Sequence, residues 1–345
     1  MMAGLTQVRS SGTWHAALLY ASPRELAAQV MRFVEGAAEA SGPVLVVMAE
    51  PNLGLLRARL DGRGLRVSWA DMGDVGLNPG RLVAAFRVFA DQHPGQMIWC
   101  VQEAAGPERS RDELAEVIRH EALVNLAFAA GPVRMLCPYA AGLGGELISC
   151  AERTHPVVVR GGRARRGAFD GAAGLVPEEC DRPLSRPPAD ADVLAYRDEL
   201  GVVRRFTAER ARRAGLPPDR AGDLVIAVGE LAANTLAHSG GPGSVTAWAA
   251  GREFLCQVED TGQITDPLAG RLPKDPAALG SGRGLWLVQQ LCDLVQIRSG
   301  PGGTAIRLHM RLGSGPARRL TARPRRPRWH RPGPGHPART ACPVR

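Results

Sequence analysis

The sequence predicts two domains of different fold class: an N-terminal three-layer α/β domain around a parallel sheet, and a C-terminal α+β two-layer sandwich. Three observations support this prediction. Up to about residue 150, short apolar runs alternate with helical patterns, as in βα units. Residues 157–192 are rich in Gly, Arg and Pro, which is the composition of a linker. Beyond them, helices and pairs of apolar runs predict an antiparallel sheet covered by helices.

In the first domain we expect a mainly alternating order of strands and helices. The predicted strands are residues 16–20, 44–48, 65–69, 97–101 and 133–137, and the main helices are residues 23–40, 81–92 and 112–128. A three-layer domain of this kind often binds nucleotides through a P-loop. No G-x-x-x-x-G-K-[ST] pattern occurs, and the only lysine of the chain is Lys274. The sequence therefore argues against a P-loop NTPase.

In the second domain the predicted order ends with a glycine-rich loop, a helix and a pair of strands. The helices are residues 194–214, 219–238 and 284–294, and the strands are residues 244–249, 254–259, 295–298 and 304–310. Asp219 follows two prolines, so we expect it to cap the N-terminus of the second helix.

The basic charge belongs to the C-terminal tail. Residues 313–345 contain nine arginines and no acidic residue, and these nine account for the net charge of +9. We expect this tail and residues 1–13 to be disordered, and we do not expect the folded part to bind nucleic acid. Seven cysteines without a C-x-x-C pair indicate reduced thiols. The lack of a signal peptide or membrane-spanning run predicts a cytoplasmic protein that does not contact membranes.

Four short patterns in the second domain carry candidate chemistry. Glu230 and Asn234 are four residues apart, so they lie side by side on the polar face of their helix. The amide oxygen can bind Mg²⁺, and the carboxylate can accept a proton or orient a nucleophile. Asp260-Thr-Gly262 ends a strand, where a carboxylate can accept a hydrogen bond from an exocyclic amine. Gly280, Gly282, Arg283 and Gly284 precede a helix and form a loop that can present backbone N–H groups to phosphates. Thr304 opens the last strand.

The order and spacing of these patterns resemble those of the GHKL ATPases. Glu230-Leu-Ala-Ala-Asn234 resembles the N box, and Asp260-Thr-Gly262 resembles the first glycine box. Residues 280–284 resemble the second glycine box, and Gly303-Thr304 the final GT. Within this superfamily the chain is most similar to bacterial anti-sigma-factor serine kinases.

This resemblance implies ATP and Mg²⁺ as cofactors. It assigns Asn234 as the Mg²⁺ ligand, Glu230 as the base, Asp260 as the adenine contact and residues 263–279 as a lid. Gly262, Gly280, Gly282, Arg283, Gly284 and Thr304 are the remaining expected cofactor-binding residues. Ile264 departs from the usual D-x-G-x-G pattern of the first box.

The first domain, residues 14–156, resembles the MEDS sensory domain of methanogens and methylotrophs. The matching segments are residues 15–18, 78–81, 119–125, 136–139 and 154–156. The resemblance implies an unknown small-molecule cue, although Ala140 stands where the family often has an aspartate. His15, His120, Cys137 and His155 can either assemble a metal or ligand site or serve as core residues.

The predicted organisation is therefore a sensory domain at residues 14–156, a linker at 157–192, an ATP-binding domain at 193–312 and the tail. The resemblance implies a serine/threonine kinase that acts on a STAS-type anti-anti-sigma protein or a sigma factor. A non-catalytic ATP-dependent switch is the alternative, and a homodimer is one assembly left open. A sensor histidine kinase requires a phosphoacceptor histidine before the ATPase domain, and residues 157–210 contain no histidine.

Overall fold

The computed structural model describes residues 13–61, 63–169, 171, 176, 182–272 and 283–313. These residues form two sheets, each with its own helices and hydrophobic core. The predicted disordered tail and all but residue 13 of the predicted disordered N-terminus lie outside the described residues.

The N-terminal sheet has seven strands in the order β3-β2-β4-β5-β1-β6-β7. All described pairings in it are parallel except that of β7 with β6. The strands are β1 (Trp14–Tyr20), β2 (Val44–Met48), β3 (Val67–Asp71), β4 (Ile98–Gln102), β5 (Val133–Ala140), β6 (Val157–Arg160) and β7 (Arg163–Arg166). Every residue of β1 is buried, because the strand lies inside the sheet and both of its faces are covered.

Helices on both faces of this sheet make the predicted three layers. They are α1 (Pro23–Glu39), α2 (Asn52–Leu60), α3 (Met72–Val75), α4 (Leu82–Asp91), α5 (Arg111–Ala127) and α6 (Gly145–Thr154), with a 3₁₀ turn at Pro79–Arg81 and another at Ala141–Leu143. One apolar cluster contains residues of α1 and α2, and a second contains residues of α4, α5 and α6. A Ser110–Glu113 capping box fixes the start of α5.

The connection between the two sheets is shorter than the linker predicted at residues 157–192. The first ten residues of the predicted linker form β6 and β7, which extend the N-terminal sheet, and its last residue begins β8 (Asp192–Tyr196) of the second sheet. Gly161 and Gly162, both with positive φ, make the tight turn between β6 and β7. Glycine and arginine here therefore build an edge hairpin rather than an extended connection.

The C-terminal sheet is antiparallel, with the strand order β11-β12-β10-β9-β8. Its other strands are β9 (Gly243–Ala250), β10 (Glu253–Asp260), β11 (Leu294–Gly300) and β12 (Gly303–Arg311), and its helices are α7 (Leu200–Arg213), α8 (Pro218–His238) and α9 (Arg283–Leu291). The helices pack through one apolar cluster onto one face of the sheet, which gives the predicted two-layer α+β sandwich.

Two details at the helix starts differ from the prediction. Residues 194–196 belong to β8, so α7 begins at Leu200 rather than at residue 194. Pro217 occupies the N-cap position of α8 and makes no side-chain cap, so Asp219 lies within the first turn and does not cap the helix. Pro218 occupies the first helical position, where its fixed φ suits a helix start. The helix therefore begins one residue earlier than predicted.

Within the part of the chain that the structure describes, no helix has both the length and the apolar character required to cross a bilayer.

Candidate functional site

The polar face of α8 supplies the first part of the site. Glu230 and Asn234 are both half-buried, and they lie one helical turn apart. The opposite face of α8 is anchored in the core by Leu224, Val228 and Leu231. Because that apolar stripe fixes the rotation of the helix, the carboxylate and the carboxamide are held side by side at the rim of the domain.

The start of α9 lies directly against this pair. A Cβ atom added at Gly284 would be 2.9 Å from Glu230 Oε2 and 3.4 Å from Asn234 Nδ2. A side chain at residue 284 would push the Glu230 carboxylate aside, so glycine favours this close approach. The structure therefore brings the end of the predicted second glycine box, Gly284, close to the predicted N box, although the two are about fifty residues apart in the sequence.

Asp260 forms the second part of the site at the end of β10. Its Oδ1 accepts a hydrogen bond of 2.8 Å from Gly262 N, and its Oδ2 accepts one of 2.7 Å from Thr235 Oγ1. Thr235 follows Asn234 on α8, so this bond links the N-box helix to the strand end. Each carboxylate oxygen has a second lone pair, which leaves the group able to accept a hydrogen bond from a ligand.

Thr304 holds the same turn from the neighbouring strand. It pairs with Asp260 in the β10–β12 register, and its Oγ1 donates a hydrogen bond of 2.8 Å to Gly262 O. Gly303 before it has φ +115°, and a Cβ there would be 2.3 Å from Asp260 O. The final Gly-Thr pair is therefore required for the close packing of β12 on the Asp260 turn.

Three polar residues that support the site were missed by the sequence analysis. Tyr196 Oη donates to Thr235 Oγ1 at 3.0 Å, and Ser299 Oγ lies 2.7 Å from Thr304 Oγ1. Burial raises the pKa of Tyr196, so its hydroxyl remains a donor at neutral pH. Ser299 is opposite Thr304 in the β11–β12 register, and Thr235 is next to Asn234. In the sequence, only a position next to a motif, or opposite one in a paired strand, could have pointed to these residues.

The glycine-rich loop is described only at its end. Gly280 and Gly282 lie outside the described residues, whereas Arg283 is exposed and is the first residue of α9. Of the predicted lid, residues 263–272 are described. Ile264, at the position where the family often has glycine, donates its N–H to Ser299 Oγ at 2.8 Å and packs against the core. This departure therefore anchors the start of the lid to the sheet.

The arrangement suits a ligand that combines an anion, a bound cation and an amine. A helix N-terminus such as that of α9 presents backbone N–H groups and a favourable dipole to an anion. Glu230 and Asn234 next to it offer the oxygen donors that Mg²⁺ prefers. Asp260 accepts hydrogen bonds beyond them. These three groups match the phosphates, the metal ion and the adenine amine of ATP–Mg²⁺.

The N-terminal domain contacts the helix that begins at this site. Asn78 Nδ2 donates to Gln289 O at 3.0 Å, and Arg81 donates to three carbonyl oxygens at the C-terminal end of α9. The distances from Arg81 are 2.7 Å to Gln289 O, 2.9 Å to Gln290 O and 2.7 Å to Cys292 O. A buried guanidinium thus caps α9 across the domain boundary.

A second contact joins the N-terminal domain to the described part of the lid. Glu116 of α5 is buried and binds Arg271 Nη2 at 3.2 Å and Arg298 Nη1 at 2.8 Å. Burial lowers the pKa of Arg271 to about 10, although Glu116 opposes this effect, so Arg271 is charged at neutral pH. Arg311 Nη2 binds Glu113 at 3.0 Å on the same helix.

Three of the four histidines and cysteines singled out in the first domain come together. His15, Cys137 and His155 lie around Glu121 of α5. His120 is buried as well, but its Nε2 binds Gln102 Oε1 at 2.9 Å and it is not part of the group. Neighbouring residues of a helix point about 100° apart, so Glu121 rather than His120 faces the other three side chains.

Two family models match the chain. Residues 194–310 match the family model of the histidine kinase-like ATPase domain, and residues 14–156 match that of the MEDS domain, the methanogen/methylotroph, DcmR sensory domain. Among solved structures, the RsbU and RsbW domains of Rv1364c from Mycobacterium tuberculosis are similar at 22% identity. That match covers 38% of this chain and 34% of that chain, with a TM-score of 0.29. No curated protein matches the chain.

Proposed function

Because residues 194–310 form a histidine kinase-like ATPase domain of the GHKL type and residues 14–156 form a MEDS domain, we propose that this protein is an ATP-dependent regulator of the anti-sigma type. In this proposal the ATPase domain is a serine/threonine protein kinase that the sensory domain controls. The substrate is the hydroxyl of a STAS-type anti-anti-sigma protein, and the proposed location is the cytoplasm.

The observation that carries the proposal is the contact of Gly284 with Glu230 and Asn234. It places the N-terminus of α9, which attracts phosphate, beside a carboxylate and a carboxamide. The amide oxygen of Asn234 fits a Mg²⁺ ion, and a bound Mg²⁺ would neutralise charge on the phosphates. Asn234 would hold the ion, and Asp260 would accept a hydrogen bond from the adenine amine.

In this proposal Glu230 is the general base. It is half-buried at the mouth of the site, and among the described contacts no arginine pairs with it, so its carboxylate is available to a substrate hydroxyl. The hydroxyl proton would pass to Glu230 as the oxygen attacks the γ-phosphate, and the backbone N–H groups of α9 would stabilise the charge on the transferred group. The partner would leave as a phosphoserine or phosphothreonine.

The interface contacts support control by the sensory domain. Arg81 holds the C-terminal end of α9, and Glu116 holds Arg271 of the lid. Both contacts end on elements that border the nucleotide site. A change in the sensory domain that moves the Pro79–Arg81 turn or α5 would therefore shift α9 or the lid.

A transfer assay tests the kinase proposal. ATP labelled at the γ-phosphate is incubated with the protein and a STAS-type protein encoded beside it, and label on the STAS protein is measured. Glu230→Gln should lower the transfer rate by about 100-fold or more while ATP affinity changes little. Asn234→Ala should weaken Mg²⁺-dependent ATP binding itself. Asp219→Asn, the same kind of change at an exposed position of α8, is the matched control.

The alternative of a non-catalytic switch predicts a different result. ATP would then change the affinity of the protein for its partner without any transfer of label, and Glu230→Gln would leave that change intact. If neither the wild-type protein nor Asp219→Asn shows Mg²⁺-dependent affinity for ATP in calorimetry, both versions of the proposal are wrong.

A further inference from the structure

Four side chains with metal-binding atoms converge in the core of the N-terminal domain. They come from β1, α5, β5 and the residue before β6, and they are His15, Glu121, Cys137 and His155. All four are buried, and one ligand atom from each lies within 4.8 Å of the others. Among the described residues, this is the one group of at least three potential metal ligands whose ligand atoms lie so close together.

Four of the six separations among these atoms are close to those of a tetrahedral metal site. Glu121 Oε2 lies 3.2 Å from His15 Nε2, 3.3 Å from Cys137 Sγ and 3.6 Å from His155 Nε2. His15 Nε2 lies 3.3 Å from Cys137 Sγ. Ligands at the bond lengths usual for zinc are about 3.4 Å apart at the corners of a tetrahedron. These separations therefore need little adjustment to accept an ion.

The hydrogen bonds of the two imidazoles direct their lone pairs to the centre. His155 Nδ1 donates to Ala151 O at 2.7 Å, and His15 Nδ1 donates to Asn125 Oδ1 at 3.1 Å. The Asn125 amide is fixed in this orientation because its Nδ2 donates to Thr154 O at 2.7 Å. With the proton on Nδ1, each neutral ring presents an unprotonated Nε2. Metal-binding histidines are oriented by outer hydrogen bonds of this kind.

The charge of the group also calls for a cation. Glu121 is a fully buried carboxylate, and its described side-chain contacts are His15, Gln102, Cys137 and His155, none of them an arginine. His155 Nε2 is buried and has no hydrogen-bond partner. A lone pair that faces a carboxylate at 3.6 Å is repelled unless a proton or a metal ion lies between them. A divalent ion with one carboxylate and one thiolate would make the site neutral.

We propose that His15, Glu121, Cys137 and His155 bind one divalent transition-metal ion, with Zn²⁺ the best match to two imidazoles, a carboxylate and a thiolate. Ca²⁺ and Mg²⁺ prefer oxygen ligands, which excludes them here. Four protein ligands in a buried position close the coordination sphere, so the ion has a structural or sensing role and does not activate water.

An outer shell extends this site toward the ATPase domain. Gln102 Nε2 donates to Glu121 Oε2 at 2.9 Å, and Gln102 Oε1 accepts from His120. Glu121 lies on the same helix as Glu116, which binds Arg271 of the lid. A bound ion would therefore fix the helix that contacts the ATPase domain. The metal site itself does not depend on the proposed kinase activity.

Metal binding by the full chain tests the proposal without nucleotide. Protein stripped with a chelator is titrated with Zn²⁺ alone by calorimetry and with Co²⁺ alone by absorption spectroscopy. We expect one ion per chain and a thiolate-to-cobalt charge-transfer band. Cys137→Ala should abolish the band and weaken Zn²⁺ affinity by at least about 10-fold. Cys100→Ala, which removes another fully buried thiol of the same domain, should leave both unchanged.

A second variant guards against simple misfolding. Glu121→Gln keeps the volume of the side chain but removes its charge, and it should weaken Zn²⁺ binding while circular dichroism stays native. The proposal is overturned if the wild-type chain binds less than one ion, or if Cys137→Ala and Cys100→Ala bind Zn²⁺ equally well. Failure of this test would leave Mg²⁺-dependent ATP binding unaffected, so the two proposals can be judged separately.

Discussion

Arg81→Ala should loosen the docking of the sensory domain on the ATPase domain. The guanidinium is buried and donates hydrogen bonds to Gln289 O, Gln290 O and Cys292 O, the carbonyl oxygens at the C-terminal end of α9. A hydrogen bond from a charged donor contributes roughly 1.5–3 kcal/mol. When the domains separate, these carbonyl oxygens form hydrogen bonds with water, and those bonds offset much of the free energy that the Arg81 bonds contribute.

The expected net loss is therefore about 3 kcal/mol rather than the full sum of three bonds, and this corresponds to roughly a 100-fold shift of the docking equilibrium. Hydrogen–deuterium exchange measures that shift directly. Amides in residues 286–295 should exchange up to about 100-fold faster in Arg81→Ala, while the β-sheet of the ATPase domain keeps its protection.

Arg87→Ala is the matched control, because Arg87 donates to Ala127 O at 2.6 Å inside the sensory domain and makes no described contact with α9. Arg87→Ala should change hydrogen–deuterium exchange rates only near its own contact, in α4 and α5. The reasoning is refuted if α9 exchanges at the wild-type rate in Arg81→Ala, or if Arg87→Ala accelerates exchange in α9 by the same factor.

Three further predictions concern the ATPase domain. Thr235→Val removes the hydroxyl that donates to Asp260 Oδ2, so ATP affinity should fall by about 5–10-fold in calorimetry; an unchanged affinity would show that Asp260 needs no such support. Gly303→Ala should destabilise the domain by about 2–4 kcal/mol in urea unfolding, because its Cβ would overlap Asp260 O, whereas Gly302→Ala, with open space around it, should cost less than half as much. Burial raises the pKa of Cys256 and raises that of Cys292 to about 12, so neither thiol should react with a disulfide reagent at pH 8 until the protein unfolds; labelling of either in the native state, detected by mass spectrometry, would contradict this burial.

The sequence alone was sufficient where a pattern is local. The period of α8 determined that Glu230 and Asn234 share its polar face, and the strand-end position of Asp260 determined that its carboxylate lies at the rim of the sheet. Gly284 and Gly303 were also identified, because they belong to the patterns that resemble the second glycine box and the final GT.

Weak local patterns gave the errors. The hairpin of β6 and β7 is rich in arginine and glycine and resembles a linker, because an exposed edge strand needs no apolar alternation. The start of α8 was predicted one residue late because two adjacent prolines offered two possible boundaries. Contacts such as Arg81 with α9 and Glu116 with Arg271 left no mark in the sequence, since each joins residues more than 150 positions apart.

The buried cluster of potential metal ligands in the sensory domain shows most clearly which features the sequence determined and which depended on the tertiary structure. The sequence determined that histidines and a cysteine were available at positions 15, 137 and 155. Only the parallel arrangement of β5, β1 and β6 brought them together, because adjacent strands lie about 5 Å apart whatever their separation along the chain. The packing of α5 on that sheet then selected Glu121 rather than His120, since a rotation of one residue along a helix decides which side chain faces the other three ligands.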